Sequence, residues 1–365
     1  MVSGFNSCKD PFLSLIVSIH STGSCVEKCI QSLVRQSFKN IEIICVNNDS
    51  TGGALELIQK YAANDTRIKI INTDSPLGKL VTRMKGVELA TGEYILFVDS
   101  QDFLKFNACQ TIFEVLKNHE IDILQFKCVV EGQESEEAER KSCLDQELTE
   151  EKLDNSQLLE ALFERHSVST SLLGKVIKTN IAKLVNESIR VKEPYSGEDI
   201  YHSFFIAYYA KSFQYINTQP LYWVGRQSDS ETKYALALNA FALHSSGSVF
   251  CSDIHEFLKN KGDLAKYHHI YESISQKLLE RCCEILKNQI SIKDFRAGAR
   301  CLYNFWKDNP VFESVIKQFF KLSSEQFYRR WVDQRQFVSL SGKYQHEAPL
   351  VSVIVTTALN ILRIV

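Results

Sequence analysis

Residues Thr91–Leu104 read Thr-Gly-Glu-Tyr-Ile-Leu-Phe-Val-Asp-Ser-Gln-Asp-Phe-Leu, an apolar run that ends abruptly in two carboxylates. Residues 94–98 have the β-branched and aromatic bias of a strand buried on both faces, and Asp99 and Asp102 follow where that strand should emerge. Ligands of open α/β sheets bind outside the carboxyl ends of the strands, so acids at this place can hold a divalent cation against an anionic ligand. Asp-Ser-x-Asp is also ordinary turn chemistry, and the tetrapeptide alone leaves both readings open.

Outward from this stretch, strand and helix patterns alternate. Residues 13–19 read as a strand, 24–35 as an amphipathic helix, 41–46 as a second strand and 53–63 as a helix. Residues 68–72 then read as a third strand and 80–90 as a helix, which makes 94–98 the fourth strand. Such alternation predicts an α/β domain with a mixed, mostly parallel sheet flanked by helices. Carboxyl ends of three strands converge on the polar segments 18–21, 47–51 and 99–102. No Gly-x-Gly-x-x-Gly follows the first strand, which argues against a dinucleotide-binding dehydrogenase.

Composition narrows the class. The 365 residues carry a formal net charge of -2 and are 44% hydrophobic, enough for substantial cores and without the electrostatic footprint of a nucleic-acid binder. The 11 cysteines are scattered with no Cys-x-x-Cys pair, and Cys45 and Cys128 fall in predicted strands, as reduced cysteines used as small hydrophobes do. Residues 1–11 lack a charged-then-apolar leader, and no apolar run of about 20 residues interrupts the chain. A cytoplasmic location is therefore expected, with any membrane work done peripherally from the cytoplasmic face.

Beyond the fourth strand, residues 131–154 contain ten acids among twenty-four and read as a solvated surface loop. Helical character returns at 156–165, and from about 234 to 337 the pattern becomes long helices, including 273–287 and 294–306. Trp306, Phe319, Phe320, Phe327 and Trp331 read as the core of this helical appendage rather than a sugar platform. Residues 348–357, Ala-Pro-Leu-Val-Ser-Val-Ile-Val-Thr-Thr, repeat the pattern of residues 11–19. A second domain cut short and a docked or edge-strand tail both fit that repetition. The expected domains are 1–232, 233–340 and 341–365.

These segments, in order, resemble the family 2 glycosyltransferases of the GT-A fold. Leu13 to Ser21 resembles that family's opening strand, and Leu33, Gln36, Ser37 and Asn40 its Leu-x-x-Gln-[ST]-x-x-Asn helix exit. Ile41 to Thr51 is similar to its second strand and nucleotide-binding turn, and Thr91 to Leu104 to its Asp-x-Asp element. Leu173 to Lys178 resembles Asn-Lys-Leu-Tyr, and Ser196 to Ile200 (Ser-Gly-Glu-Asp-Ile) carries the Gly-Glu-Asp signature. Tyr222 to Ser230 more loosely resembles an aromatic strand leading to an Arg and a Ser.

The resemblance implies inverting transfer of a sugar from a nucleotide-diphosphate donor, a UDP-sugar, to a saccharide or lipid-linked saccharide acceptor in capsule, lipooligosaccharide or other surface-glycan synthesis. It implies a divalent metal, Mn or Mg, at Asp99, Gln101 and Asp102. Donor contacts would come from Ser18, His20, Asn48, Asp49, Arg83 and Asp99. Asp199 is where the general base falls, with Glu198 orienting the acceptor. Read from the residues alone, Glu198 and Asp199 are better taken as the acids of a helix N-terminus.

Departures from the pattern keep a second function in view. The usual Asp-Ser-Asp-Asp is here Asp99-Ser100-Gln101-Asp102, and an amide brings no charge to a metal. The usual Asp-Gly-Ser-Thr-Asp is Asn48-Asp49-Ser50-Thr51-Gly52, and Ala-Arg-Asn-x-Gly is Thr82-Arg83-Met84-Lys85-Gly86. The alternative is a protein of the same fold that binds or scaffolds without turnover.

Overall fold

The computed structural model describes residues 10–20, 23–48, 53–73, 77–131, 152–192, 196–225, 237–291 and 294–319. The chain divides into two compact units, residues 1–194 with 198–228, and residues 195–197 with 229–365.

In the first unit the elements begin β1 (Leu13–Ile19), α1 (Gly23–Val34), β2 (Ile41–Asn47), α2 (Ala54–Ala62), β3 (Ile68–Asn72), α3 (Lys79–Leu89) and β4 (Tyr94–Asp99). Each lies within a residue or two of its place in the sequence pattern. There follow β5 (Phe103–Leu104), α4 (Ala108–Leu116), β6 (Ile123–Phe126), β7 (Cys128–Val130), β8 (Lys152–Leu153), α5 (Asn155–Phe163), β9 (Lys175–Lys178), α6 (Thr179–Ser188), α7 (Glu198–Tyr209), β10 (Phe213–Ile216) and β11 (Tyr222–Val224).

Eight strands form one sheet in the order β3-β2-β1-β4-β9-β6-β10-β8. The half that matters for the site, β3-β2-β1-β4, is parallel throughout, whereas β9 runs antiparallel to both β4 and β6. β1, β2 and β4 are buried at every residue, which explains their nearly unbroken apolar sequences. The chain winds outward from β1 to β2 and β3, then returns to place β4 on the other side of β1. That reversal makes the carboxyl ends of β1 and β4 a topological switch point, where α/β sheets open a crevice for ligands. Register brings Ser18 of β1 opposite Asp99 of β4 at that edge.

Two close approaches fix what stands above the edge. A Cβ on Gly86 would lie 2.2 Å from Ile16 Cγ2, so only glycine lets α3 press this tightly onto β1. Arg83, one turn earlier on α3, is thereby held at the sheet's carboxyl end. The second approach belongs to a small sheet ordered β5-β11-β7. There a Cβ on Gly225 would meet the Gln101 carbonyl oxygen at 2.2 Å, so the chain after β11 lies directly against the turn that follows β4.

At the opposite end of the sheet, the buried carboxylate of Glu42 accepts hydrogen bonds from Ser14 Oγ (2.6 Å), the Thr91 amide (2.7 Å) and Lys69 Nζ (2.6 Å). Burial raises its pKa, but these donors outweigh burial and hold the carboxyl below its ordinary value. They tie the turn before β4 to β1 and β2.

The second unit is helical: α8 (Leu238–Ser245), α9 (Ser248–Lys261), α10 (Leu264–Asn288) and α11 (Phe295–Trp306). α10 starts earlier than the sequence pattern suggests and takes a non-helical step at Tyr267. Trp306 is fully buried and donates its indole N–H to the Ser245 carbonyl at 2.7 Å, so it is a core residue as expected. Residues 132–151, Phe320, Phe327, Trp331 and the repeated segment 348–357 lie outside the described residues. Among the described residues, no helix is long and apolar enough to cross a membrane.

Candidate active site

Asp99 ends β4 with its side chain only 8% exposed. Lys79, the first residue of α3, donates from Nζ to Asp99 Oδ2 at 2.6 Å, and Arg83 Nη2 lies 3.8 Å from Oδ1. Lys79 and Arg83 are four residues apart and so share one face of α3. The carboxylate thus faces two cations. Lys79 was not singled out from the sequence, although a signal was present. A lysine in the first turn opposes the helix macrodipole, and such an unfavourable placement points to an anionic partner elsewhere.

Asp102 is turned inward. Tyr222 Oη donates to its Oδ2 at 2.6 Å and the Gly225 amide to its Oδ1 at 2.8 Å, while Tyr222 Oη also accepts from the Asp99 amide at 3.1 Å. Burial pushes the Asp102 carboxyl up to about 7 despite the hydrogen bond from Tyr222. Both oxygens are occupied by protein donors and ionisation is disfavoured, so Asp102 braces the turn against β11. Asp102 thus serves the turn, while Asp99 stands at the strand end.

Glu198 and Asp199 open α7. Arg83, 1% exposed, donates from Nη1 to Asp199 Oδ1 at 2.5 Å, while Asp199 keeps 37% of its side-chain surface exposed. One guanidinium therefore stands between Asp99 and Asp199, and both carboxylates lie on the same side of the sheet. Burial raises the Asp199 pKa, but Arg83 and Lys79 overcome it and hold the carboxyl below its ordinary value. For Glu198 the balance is reversed: burial, reinforced by the charge of Asp199, lifts it above the ordinary glutamate value. Two adjacent acids are thus driven apart in acidity.

His202 lies one helical turn beyond these acids. It is 1% exposed, its ring is 5.8 Å from that of Phe97, and burial together with Arg83 lowers its pKa to about 3. The imidazole is neutral at physiological pH. Among the described residues, neither ring nitrogen has a hydrogen-bond partner, and the same holds for Arg83 Nε and Nη2 and for Ser18 Oγ. Buried polar atoms are seldom left so, and these gather at the carboxyl end of the sheet. His202 was hidden in the sequence because a histidine in the aromatic run Tyr-His-Ser-Phe-Phe reads as core.

On the β1 and β2 side, the Ser18 hydroxyl is buried beside Asp99 in register. His20 Nδ1 lies 3.0 Å from Asn48 Nδ2, and the His20 amide donates to Ser100 Oγ at 3.4 Å. Asn48 Nδ2 also donates to the Leu77 carbonyl and its Oδ1 accepts from the Leu77 amide, both at 2.6 Å. That amide side chain matches a backbone unit donor for acceptor and pins the approach to α3. Asp49 lies outside the described residues.

The described residues of the site do not fit a divalent cation. Asp102 is committed to Tyr222 and Gly225, Gln101 brings no charge, and Asp99 already holds Lys79. Among the described residues, no group of three His, Cys, Asp or Glu side chains could hold a metal ion. Unit charges 4 Å apart interact by about 4 kcal/mol at an effective dielectric near 20, so the Lys79 ammonium offsets the pull that Asp99 would exert on a divalent ion.

Residues 14–177 match the model of Glycosyl transferase family 2. Glycosyltransferase EpsH of Bacillus subtilis is 26% identical over 277 residues, which span 72% of this chain and 76% of EpsH. A poly(ribitol-phosphate) beta-glucosyltransferase of Bacillus spizizenii is 30% identical over 114 residues, 30% of this chain but 18% of that protein. The chain likewise spans only 37%, 33% and 33% of three further glycosyltransferase relatives. Among solved structures, S. aureus TarS 1-349 in complex with UDP-GlcNAc superposes with a TM-score of 0.52 at 16% identity, covering 84% of this chain and 91% of that one. The shared architecture is that of the GT-A glycosyltransferases. Over residues 14–177, the chain is similar to glycosyl transferase family 2.

Proposed function

We propose that this protein transfers a sugar from a nucleoside-diphosphate donor of the UDP-sugar class to a saccharide hydroxyl, with inversion, in the synthesis of a bacterial surface glycan. The observation that carries this reading is the bridge from Asp99 through Arg83 to Asp199 at the switch point, because it sets a cationic diphosphate site beside an exposed carboxylate.

In the reaction the acceptor oxygen bonds to the anomeric carbon, the sugar–phosphate bond breaks, and the nucleoside diphosphate leaves with the electron pair. Asp199 takes the hydroxyl proton as general base, and Glu198 orients the acceptor. Lys79 and Arg83 face the growing negative charge of the leaving group, an electrostatic contribution that needs no reorganisation once the donor is seated. Ser18, His20 and Asn48 line the nucleoside side, and the family resemblance alone adds Asp49, which lies outside the described residues. The acceptor is a saccharide or lipid-linked saccharide met at the cytoplasmic face of the membrane. The divalent cation implied by the family resemblance enters no step here, since the residue set does not suit it.

One observation favours a second reading, a binding module without turnover. Asn48, where the family commonly has an acid, is consumed by Leu77 and has little capacity left for a ligand. Incubating the purified chain with a panel of nucleotide sugars and surface-glycan oligosaccharides, with detection of released nucleotide and glycosylated product, separates the two. Product with inverted anomeric configuration by NMR supports the transferase. Donor binding without nucleotide release would favour the binding module, and no binding of any nucleotide sugar would defeat both.

A further inference from the structure

We propose that the Lys79 ammonium takes the part of a divalent cation in this site, so that the nucleoside diphosphate binds without metal. The inference rests on the donor class named above and concerns how its charge is met. It starts from the disagreement between the family's metal element and the residues that occupy it here.

Two observations converge. First, what the site presents outward is the cation and not the carboxylate: Lys79 keeps 31% of its side-chain surface exposed, whereas Asp99 keeps 8%. An incoming diphosphate meets the ammonium first. Second, the acids needed to replace that ammonium with a metal have been removed or diverted. Gln101 stands where the pattern has an acid, and Asp102 spends both oxygens on Tyr222 and Gly225.

The geometry of an ammonium suits the task. It carries three N–H donors, of which Asp99 Oδ2 takes one at 2.6 Å, leaving two for phosphate oxygens. Asp99 then orients the lysine as it would orient a metal, by holding one side of it. Arg83 supplies a second cation 3.8 Å from the same carboxylate, and its Nε and Nη2 have no hydrogen-bond partner among the described residues. No bond is made or broken at Lys79. It donates hydrogen bonds to the diphosphate that strengthen as the sugar–phosphate bond breaks and charge gathers on the leaving oxygen.

The test is calorimetric titration of the full chain with UDP, and with GDP in parallel, in EDTA and in excess manganese. The affinity in EDTA should lie within about threefold of that in manganese. Lys79→Met should weaken binding in EDTA at least tenfold in a chain that still unfolds cooperatively, and Lys79→Arg should recover most of the loss. Lys79→Asp places a second acid beside Asp99 and should bind manganese by electron paramagnetic resonance, which the parent should not. Nucleotide binding that appears only with manganese would overturn the inference while leaving the transferase reading intact, as would parent-like affinity of Lys79→Met in EDTA. Absence of UDP and GDP binding in both buffers would overturn the donor reading itself, and this inference with it.

Discussion

Arg83 is buried to within 1% of its side-chain surface and donates to Asp199, 116 residues away in the chain, at 2.5 Å. A guanidinium so deeply buried is tolerable only because its charge is met, by Asp199 on one side and Asp99 on the other. Arg83→Met should therefore strand two acids beside one remaining lysine. Breaking a buried pair typically costs about 3–5 kcal/mol, and the contact Asp199 keeps with water brings the expected loss to about 2–4 kcal/mol. Urea unfolding of parent and variant measures it. A loss under about 0.5 kcal/mol would mean that the bridge is not closed in solution.

The base can be assigned from pH dependence as well as from substitution. Asp199→Asn should lower the turnover number at least about a hundredfold with little change in donor affinity, and Glu198→Gln should be milder. A general base must be unprotonated, so activity falls as pH drops through its pKa. Asp199 is held low by Arg83 and Lys79, which would carry the acid limb below the usual carboxylate value of about 4. Glu198 is raised by burial and by Asp199, which would lift the limb above about 4.3. An acid limb above that value, together with the larger loss in Glu198→Gln, would exchange the two roles.

Much of this site was legible because strand ends in a parallel sheet are legible. An apolar run that stops at an acid gives both the depth of Asp99 and the side of the sheet it faces, and winding order then brings Ser18 beside it. Asp199 could be placed only through the family resemblance, because a helix that begins with two acids has a sufficient local reason to do so. Lys79 and His202 were missed for the opposite cause. The acid that Lys79 meets lies 20 residues away, so its first-turn position hints at an anion without saying which, and the aromatic run around His202 conceals it. Asp102 was read as a ligand because the donors that consume it, Tyr222 and Gly225, come from a strand more than a hundred residues later.

Asn48→Asp restores an acid where the family commonly has one, yet it should destabilise this protein. The Asn48 amide nitrogen donates to the Leu77 carbonyl at 2.6 Å, and a carboxylate there would oppose oxygen to oxygen. A buried acceptor left without its donor costs about 1–3 kcal/mol. The expected outcome is a lower melting temperature, with UDP affinity falling as Leu77 and the start of α3 lose their anchor. A variant as stable as the parent with tighter UDP binding would show that the asparagine is a lost ligand and not a gained brace.

The Asp102 brace has its own pH signature. Its carboxyl titrates near about 7 in the folded protein, raised chiefly by burial, against about 3.9 when unfolded. Between those values the folded chain holds a proton that the unfolded chain has released, so the brace stabilises most below about pH 4 and loses that contribution as pH rises through 7. At 1.36 kcal/mol per unit, a difference of roughly three units corresponds to a change of up to about 4 kcal/mol across that window. Asp102→Asn cannot titrate. It keeps an acceptor for the Gly225 amide, and its amide group can donate to Tyr222 Oη. The gap in unfolding free energy between parent and Asp102→Asn should therefore narrow, and can change sign, as pH is raised from 4.5 to 7.5. Tyr222→Phe provides the check on mechanism, because it removes a donor to Asp102 and an acceptor for the Asp99 amide together. It should cost about 1–3 kcal/mol, with the larger loss at the higher pH, where the ionised Asp102 depends more on its remaining donors. A gap between parent and Asp102→Asn that stays constant across the same pH range would show that Asp102 is already ionised in the fold and that the brace holds a carboxylate.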